Sequence, residues 1–292
     1  MGYLYDMSSA EVAARVVKVL EREEYRVLNA LGELLRNHES VAAEQIAAKV
    51  HMHIDKVNFS LSKLNQQDLV VKNMRGYSLV MAGLDALALK MLVNQDIIVG
   101  MGNAIGMGKE SDVFEVFTPE QKSLVIKFFR IGRISFRDVA RKRSFKQLHH
   151  WLLVNIDAAK REFNALKKLH KIGVKVPQPY ALAKHAIVME KIDGVRLINY
   201  DSLEDPKRIL ETILANVKLA RKAGLISADL SEYNVLYDGN DVWIIDWPQS
   251  VSVNHPNADT LLKRDLHNLL KFLKRKYGLQ YQLNDAIQYV IN

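Results

Sequence analysis

The chain contains no cysteine, which removes disulfides, thiolate metal sites and cysteine nucleophiles together. It has no uninterrupted apolar run of about eighteen residues, so no segment reads as a membrane span. Its first residues lack the basic segment and apolar block of a secretory signal, and a cytoplasmic protein is expected. Acidic residues are the scarcer charge: 33 Asp and Glu face 41 Lys and Arg, a formal net charge of +8 with a pI near 9.4. That excess favours an anionic partner, with nucleic acid among the candidates. What is present is ample for folding. The 292 residues are 49% hydrophobic and 25% charged, which predicts packed cores, argues against disorder and suggests two domains.

The amino-terminal part reads as helices over 8–20, 23–37, 40–50 and 54–66, with Ser40 as the cap of the third. A short hairpin follows, Leu69-Val70-Val71-Lys72 and Tyr77-Ser78-Leu79-Val80. Helices and a hairpin in this order predict a winged helix-turn-helix. The helix at 54–66 would present Lys56, Asn58, Ser60 and Lys63 outward, and the wing Lys72, Asn73 and Arg75. These groups suit phosphate contact on a nucleic acid, and the same fold also serves as a protein-binding module. The helix carries no Arg for bidentate base contacts, so backbone or shape recognition is favoured over sequence reading. Residues 81–95, with Leu84, Leu87, Leu89, Met91 and Leu92, form a connecting helix too apolar to be a free linker.

A strand-rich segment opens at Ile97. Gly106-Met-Gly108-Lys109-Glu110-Ser111-Asp-Val113 lies between strands, so it is not a phosphate loop that runs into a helix. Its glycines let the backbone approach a phosphate, and Lys109 and Ser111 add charge and a hydroxyl. An ordinary hairpin turn is the other reading. Next comes the strand Val125-Ile126-Lys127-Phe128. Its lysine is placed to hold phosphate oxygens, with Glu162 of a helix over 157–170 as its partner. Arg130 to His150 is a long basic stretch (Arg130, Arg133, Arg137, Arg141, Lys142, Arg143 and Lys146) with Ser135 and Ser144 interspersed. It reads as a flexible loop, either facing RNA or simply solvated. Ala186-Ile-Val-Met189-Glu190 is a strand, and Lys191 to Gly194 would be a hinge between lobes. Main-chain groups of Glu190 and Ile192 would meet an adenine edge beside Met189. Residues 205–223 read as a long helix.

The densest chemistry lies in Ile226-Ser-Ala-Asp229-Leu-Ser-Glu-Tyr-Asn234-Val-Leu-Tyr and Val242-Trp-Ile-Ile-Asp246-Trp-Pro. The turn Asp238-Gly-Asn240 should fold the two strands into a hairpin and bring Asp246 beside Asn234. An amide oxygen and a carboxylate then converge, a donor pair suited to Mg²⁺ or Mn²⁺. Asp229 stands apart, free to orient a hydroxyl or a water. A polar hairpin with solvated turn residues would show the same local pattern. Combined with the glycine turn and Lys127, though, Asp-x4-Asn followed by an apolar strand and Asp is the arrangement of protein kinases. There is no Ala-Pro-Glu segment, and the stretch after Asp246 is too short for a peptide-docking platform. The fold class predicted is α+β: an amino-terminal winged helix-turn-helix domain (1–82), a connecting helix (83–95), then a truncated, two-lobed protein-kinase-like domain. Its upper lobe would span 96–190, with the basic loop at 130–150, and its lower lobe 191–292.

Across essentially its whole length the chain resembles the RIO atypical protein kinases, type 2 subfamily. The resemblance rests on Gly108-Lys-Glu-Ser111, Ile126-Lys127, Arg133-x-Ser-Phe-Arg137, Asp229-Leu-Ser-Glu-Tyr-Asn234 and Ile245-Asp246-Trp-Pro, with the leading winged helix marking type 2. It implies ATP and Mg²⁺ as ligands, serine autophosphorylation and a role in maturing the small ribosomal subunit, with that particle and its RNA as partners. It also implies ATP hydrolysis through a transient phosphate on Asp246. Where the family usually has His-Gly before the catalytic Asp, this chain has Ser227-Ala228. The resulting expectation is that Lys127, Glu162, Ser111 and the turn amides position the triphosphate, Asn234 and Asp246 hold the cation, and Asp229 takes the acceptor's proton. A nucleotide-gated RNA-binding assembly factor without a protein substrate is the competing function. A winged-helix transcription factor with a degenerate kinase domain is a third, opposed by the intact Lys127, Asp229, Asn234 and Asp246.

Overall fold

The computed structural model describes residues 7–133 and 145–292. Two compact units are formed: residues up to Ala159 together with Ala181–Val188, and Lys160–Tyr180 together with Met189–Asn292.

The first unit begins with α1 (Ser9–Val17), α2 (Arg22–Leu34), α3 (Ala43–Val50) and α4 (Ile54–Gln66). Ser8 opens α1 with a capping box: its hydroxyl accepts from the Glu11 N–H, and the Glu11 carboxylate accepts from the Ser8 N–H. The hairpin β1 (Val70–Asn73) and β2 (Gly76–Leu79) pairs Val70 with Leu79 and Asn73 with Gly76. Ser40 does not cap α3, which Ala42 opens; its hydroxyl lies 2.8 Å from that of Ser78 and accepts from the Asn73 amide at 2.7 Å. Asn73 therefore ties the turn end of the wing to the segment before α3.

The helix expected to read nucleic acid carries much less free charge than its sequence suggests. Lys56 pairs with Glu23 at 3.2 Å, and Lys63 with Glu24 at 2.7 Å, all through α2. Ser60 is buried, not outward. The exposed groups that remain are Asn58 on α4 and Lys72 and Arg75 on the wing.

Helix α5 (Met81–Asn94) is buried on nearly every side, from Met81 to Leu89 and again at Leu92, as an all-round apolar helix must be. Gly83 lets it approach closely, because a Cβ there would sit 2.1 Å from the Leu69 carbonyl oxygen. The core is continuous from Ala10 and Leu28 through Leu84 and Leu87 to Phe114, Ile126 and Val188. The winged helix and the strands beyond it thus share one apolar interior. Those strands are β3 (Gly100–Met107), β4 (Ser111–Phe117), β5 (Ser123–Phe129), β6 (Pro179–Ala183) and β7 (Ala186–Glu190), in the sheet order β3-β4-β5-β7-β6.

Two readings of the basic stretch need correction. Helix α6 runs from Phe145 to Lys171, so its first turns occupy the end of the supposed loop. Its Asp157 pairs with Arg36 at 2.9 Å, and its His149 ring meets the Leu35 carbonyl. Arg130 is fully buried and faces no solvent. The expectations for Ser135, Arg137, Arg141, Lys142, Arg143 and Ser144 lie outside the described residues, as does that for the Lys146 side chain.

In the second unit, β8 (Val195–Arg196), β10 (Val235–Tyr237) and β11 (Val242–Ile244) form one small sheet, and β9 (Leu225–Ile226) with β12 (Val251–Ser252) another. Helices α7 (Pro206–Lys222) and α8 (Ala258–Tyr277) pack on these strands, and α9 (Leu283–Ile291) lies on the two helices. Asp205 caps α7 ahead of Pro206, and Gly278 ends α8 in a left-handed conformation. No helix among the described residues is long and apolar enough to cross a membrane.

Candidate active site

In the first unit the register aligns Gly106 with Val113 and Val113 with Lys127, so the three residues form one row across β3, β4 and β5. Directly opposed residues share a sheet face. Alternation along β4 sends Asp112, Phe114 and Val116 to the other face, where they are buried. Lys127 is only 5% exposed, with Nζ 4.8 Å from the centre of the Phe129 ring. The turn between β3 and β4 closes where the Gly108 N–H donates to the Ser111 carbonyl at 2.9 Å. Neither Gly106 nor Gly108 has a left-handed backbone. A Cβ at Gly106 would meet no atom within 4 Å, and at Gly108 only the Ser111 oxygen at 3.4 Å. The protein itself therefore does not demand glycine here. The open space suits close approach of a ligand phosphate to main-chain N–H groups. Lys109 and Glu110 are exposed beside it, and Ser111 is half-buried.

In the second unit the predicted hairpin is present, with Val235 opposite Ile244. One step further, the Ile245 N–H donates to the Asn234 carbonyl at 2.9 Å, which sets Asp246 next to Asn234. Trp247 is buried behind it, its indole N–H donating to the Ile244 carbonyl at 3.0 Å. Asp246 itself has φ 68°. Asp229 does not stand apart as expected. The Asn234 amide donates to its carbonyl at 2.9 Å and to its carboxylate at 3.2 Å. This leaves the amide oxygen as the acceptor that Asn234 can offer a cation. Partial desolvation raises the Asp229 carboxyl above the usual carboxylate range, and the negative charge of Asp246 adds to it. The Asn234 hydrogen bond and the Arg264 charge oppose both.

One carboxylate and one amide oxygen are hard donors that fit a divalent cation. No group of three His, Cys, Asp or Glu able to hold a metal occurs among the described residues. A cation bound by Asn234 and Asp246 would complete its shell with phosphate oxygens and water.

Two residues missed in the sequence support the Asp229 loop from α8. Arg264 donates to the Ala228 carbonyl at 2.6 Å and to Asp265 at 3.2 Å. Asp265 is 2% exposed and accepts the Leu230 N–H; burial raises its carboxyl above the usual range. Ala228 takes φ 60°, the left-handed region. The departure from His-Gly thus keeps the glycine-like backbone, at a strain of about 1–2 kcal/mol for a residue with a Cβ. Ala228→Gly is expected to stabilise the fold by about 0.5–1 kcal/mol, once the greater freedom of glycine in the unfolded chain is subtracted. Urea denaturation checks this.

The remaining residues are distributed as follows. Glu162 is 1% exposed on the part of α6 that belongs to the second unit. Met189 is buried at the end of β7, and Ile192 is half-buried. The Glu190 N–H already donates to the Gln178 carbonyl at 2.9 Å, and its carboxylate accepts the Gln178 N–H at 3.1 Å. Of its main-chain groups only the carbonyl remains to meet an adenine.

A family profile described as the RIO domain matches residues 112–286, and one described as Rio2, N-terminal, matches residues 17–95. The RIO-type serine/threonine-protein kinase Rio2 of Methanocaldococcus jannaschii is 40% identical over 250 residues, or 82% of this chain and 92% of that protein. The serine/threonine-protein kinase rio2 of Schizosaccharomyces pombe is 34% identical over 272 residues, 90% of this chain and 79% of that one. The crystal structure of the Rio2 kinase-ADP/Mg²⁺-phosphoaspartate complex from Chaetomium thermophilum superposes with a TM-score of 0.85 at 32% identity, covering 94% of this chain and 88% of that one.

Proposed function

The chain belongs to the RIO family of serine/threonine kinases, in its Rio2 branch, and from that premise we propose an ATP-driven kinase and ATPase of small ribosomal subunit maturation that phosphorylates itself on serine. It is a serine/threonine kinase that uses ATP with Mg²⁺. The cytoplasm, the pre-ribosomal particle and its RNA are part of the proposal. The net charge of +8 and the exposed wing residues Lys72 and Arg75 support an anionic partner. The functional division we adopt is a winged helix over 1–82, a connecting helix over 83–95, and kinase lobes over 96–190 and 191–292.

The observation that carries the reading is the cluster of Asp229, Asn234 and Asp246. The Asp229 carboxyl, raised by partial burial and by the charge of Asp246, belongs to the residue placed to accept a proton. Asp229 orients the attacking hydroxyl and takes its proton. Asn234 and Asp246 supply the oxygen donors for Mg²⁺, which when bound neutralises charge on the phosphates. Lys127, with Glu162 as its acidic partner, and the turn from Gly106 to Ser111 hold the phosphates. Val113, Met189 and the main chain of Glu190 and Ile192 receive the base. Removing a charged hydrogen-bonding group costs about 1.5–3 kcal/mol, so Lys127→Ala is expected to weaken ATP binding about 10- to 100-fold. Titration calorimetry with ATP·Mg²⁺ reads this directly.

A second reading, a nucleotide-gated assembly factor released from RNA by hydrolysis, is favoured by one observation. Asp246 is presented on a left-handed backbone, and the Chaetomium relative carries a phosphoaspartate in its ADP/Mg²⁺ complex. Labelled γ-phosphate, with and without pre-ribosomal particles, separates the two. A hydroxylamine-resistant phosphoserine supports the kinase. A hydroxylamine-labile acyl phosphate with no phosphoserine supports the gate.

A further inference from the structure

The motif Arg133-x-Ser-Phe-Arg137 has no part in the roles above, and only its first residue is described. Arg133 is 17% exposed and grips Asp112 with two N–H groups, Nη1 to Oδ1 at 2.8 Å and Nη2 to Oδ2 at 2.5 Å. The same Nη1 donates to the Gly108 carbonyl at 3.0 Å. Asp112 in turn accepts from Arg130 Nε at 2.9 Å, and Arg130 Nη2 donates to Asp85 of α5 at 2.9 Å. His185 lies 2.6 Å from the other Asp85 oxygen. Its Nε2 also lies 2.8 Å from Arg130 Nη1, so the ring bridges the carboxylate and the guanidinium, and burial holds its imidazole below the usual range. Asp85, Asp112, Arg130 and His185 are all completely buried. Two carboxylates face two guanidinium groups, pairing opposite charges one for one.

The consequence falls on the glycine turn. A peptide unit is planar and trans, so its C=O and the following N–H point in opposite directions. Drawing the Gly108 carbonyl toward Arg133 therefore turns the Lys109 N–H outward, to the side where the turn is open. The main-chain N–H of Arg130 anchors the same turn at the Glu110 carbonyl, at 2.6 Å. Without such anchors, glycine-bearing backbone samples many orientations.

We propose that Arg133 is a positioning residue for the nucleotide: it fixes the Gly108 peptide so that the turn presents its N–H groups to phosphate, on a frame that ends in Asp85 of α5. The inference rests on reading residues 106–111 as the phosphate-binding turn. Its function is preorganisation, and its loss shows as weaker binding of the triphosphate rather than slower chemistry.

The test uses the full chain with Arg133→Gln and Arg133→Lys, measuring ATP KM and kcat and the binding of ADP·Mg²⁺ and of adenosine. Arg133→Gln is expected to raise the ATP KM about fivefold or more, with kcat within about twofold and adenosine affinity unchanged. Arg133→Lys keeps the charge but cannot bridge carboxylate and carbonyl with a planar fork, so it is expected not to rescue. Full rescue by lysine, an equal loss of adenosine binding, or an unchanged KM in Arg133→Gln would each overturn the proposal. Lys127→Ala is the control for the underlying reading. If it weakens ATP binding while Arg133→Gln does not, the positioning role alone fails; if neither does, the phosphate-binding turn itself is misassigned.

Discussion

Replacing Asp229 with asparagine is expected to lower phosphoryl transfer by about 10²–10⁴-fold, the range for loss of a general base, while ATP affinity stays near that of the parent. The side chain touches no residue assigned to the phosphates; it meets Asn234 and the charges of Asp246 and Arg264. The same substitution is expected to stabilise the fold at neutral pH. A carboxyl whose folded pKa lies above its unfolded value is harder to ionise in the folded chain. It therefore subtracts stability above that folded value, and the deficit vanishes as pH falls through the window toward 3.8, the unperturbed value. Asparagine removes the deficit and keeps the shape. Higher stability with lost turnover is the signature of a group retained for chemistry at a cost to folding. An Asp229→Asn variant that turned over ATP at the parental rate would remove the assignment. Rapid-quench turnover and urea unfolding at pH 7 read both halves.

The second large effect concerns Asp85. Asp85→Ala leaves Arg130 buried with one counter-charge fewer, and breaking a buried pair costs about 3–5 kcal/mol. Asp85→Leu combined with Arg130→Met removes one charge of each sign and leaves Asp112 with Arg133. The double variant is expected to be more stable than Asp85→Ala, a coupling visible only in the full cycle. The pH dependence follows from two groups acting in one direction. Burial alone would raise the Asp85 carboxyl, but the Arg130 charge and the His185 hydrogen bond more than offset it, and the group is held below its usual 3.8. Its contribution is present above that value and is lost as pH falls through the folded one. His185 is depressed below 6.5 by burial, so the unfolded chain takes up a proton first as pH drops below 6.5, and stability declines from there. Unfolding free energy should fall between pH 7 and acid conditions, with a smaller slope in His185→Phe. A flat profile in the parent would remove the network from the account.

What could be read from the chain, and what could not, divides by distance along it. The meeting of Asn234 and Asp246 was legible because a single hairpin, with its Asp238-Gly-Asn240 turn, brings them together, whereas the bonds from Asn234 to Asp229 were not. Lys127 was legible because a lysine within Val-Ile-Lys-Phe stands out in an apolar strand. The Asp85 cluster joins residues 45 and 100 positions apart, and no local pattern encodes that meeting. A faint signal did exist: an acid between Leu84 and Ala86, in a helix otherwise apolar on all sides, requires a buried partner. The charge of α4 was misjudged for a similar reason. Lys56 and Lys63 were counted as free, although how α2 lies against α4, and hence their pairing with Glu23 and Glu24, is set by packing alone. The start of α6 was hidden by the basic run before it, though Leu148, Leu152 and Ile156 already had helical spacing.

The uninterrupted interior from Ala10 to Val188 bears on modularity. A winged helix joined by a tether can be shuffled between proteins or cut away without harm to its neighbour. Here α5 contributes its residues to both sides of the join, so excising the leading helices would strip Leu84, Leu87 and Leu92 of their cover and leave a sticky face on the remnant. The leading segment is therefore an inseparable part of the fold that carries the glycine turn, and whatever grips its wing holds a piece of that shared interior.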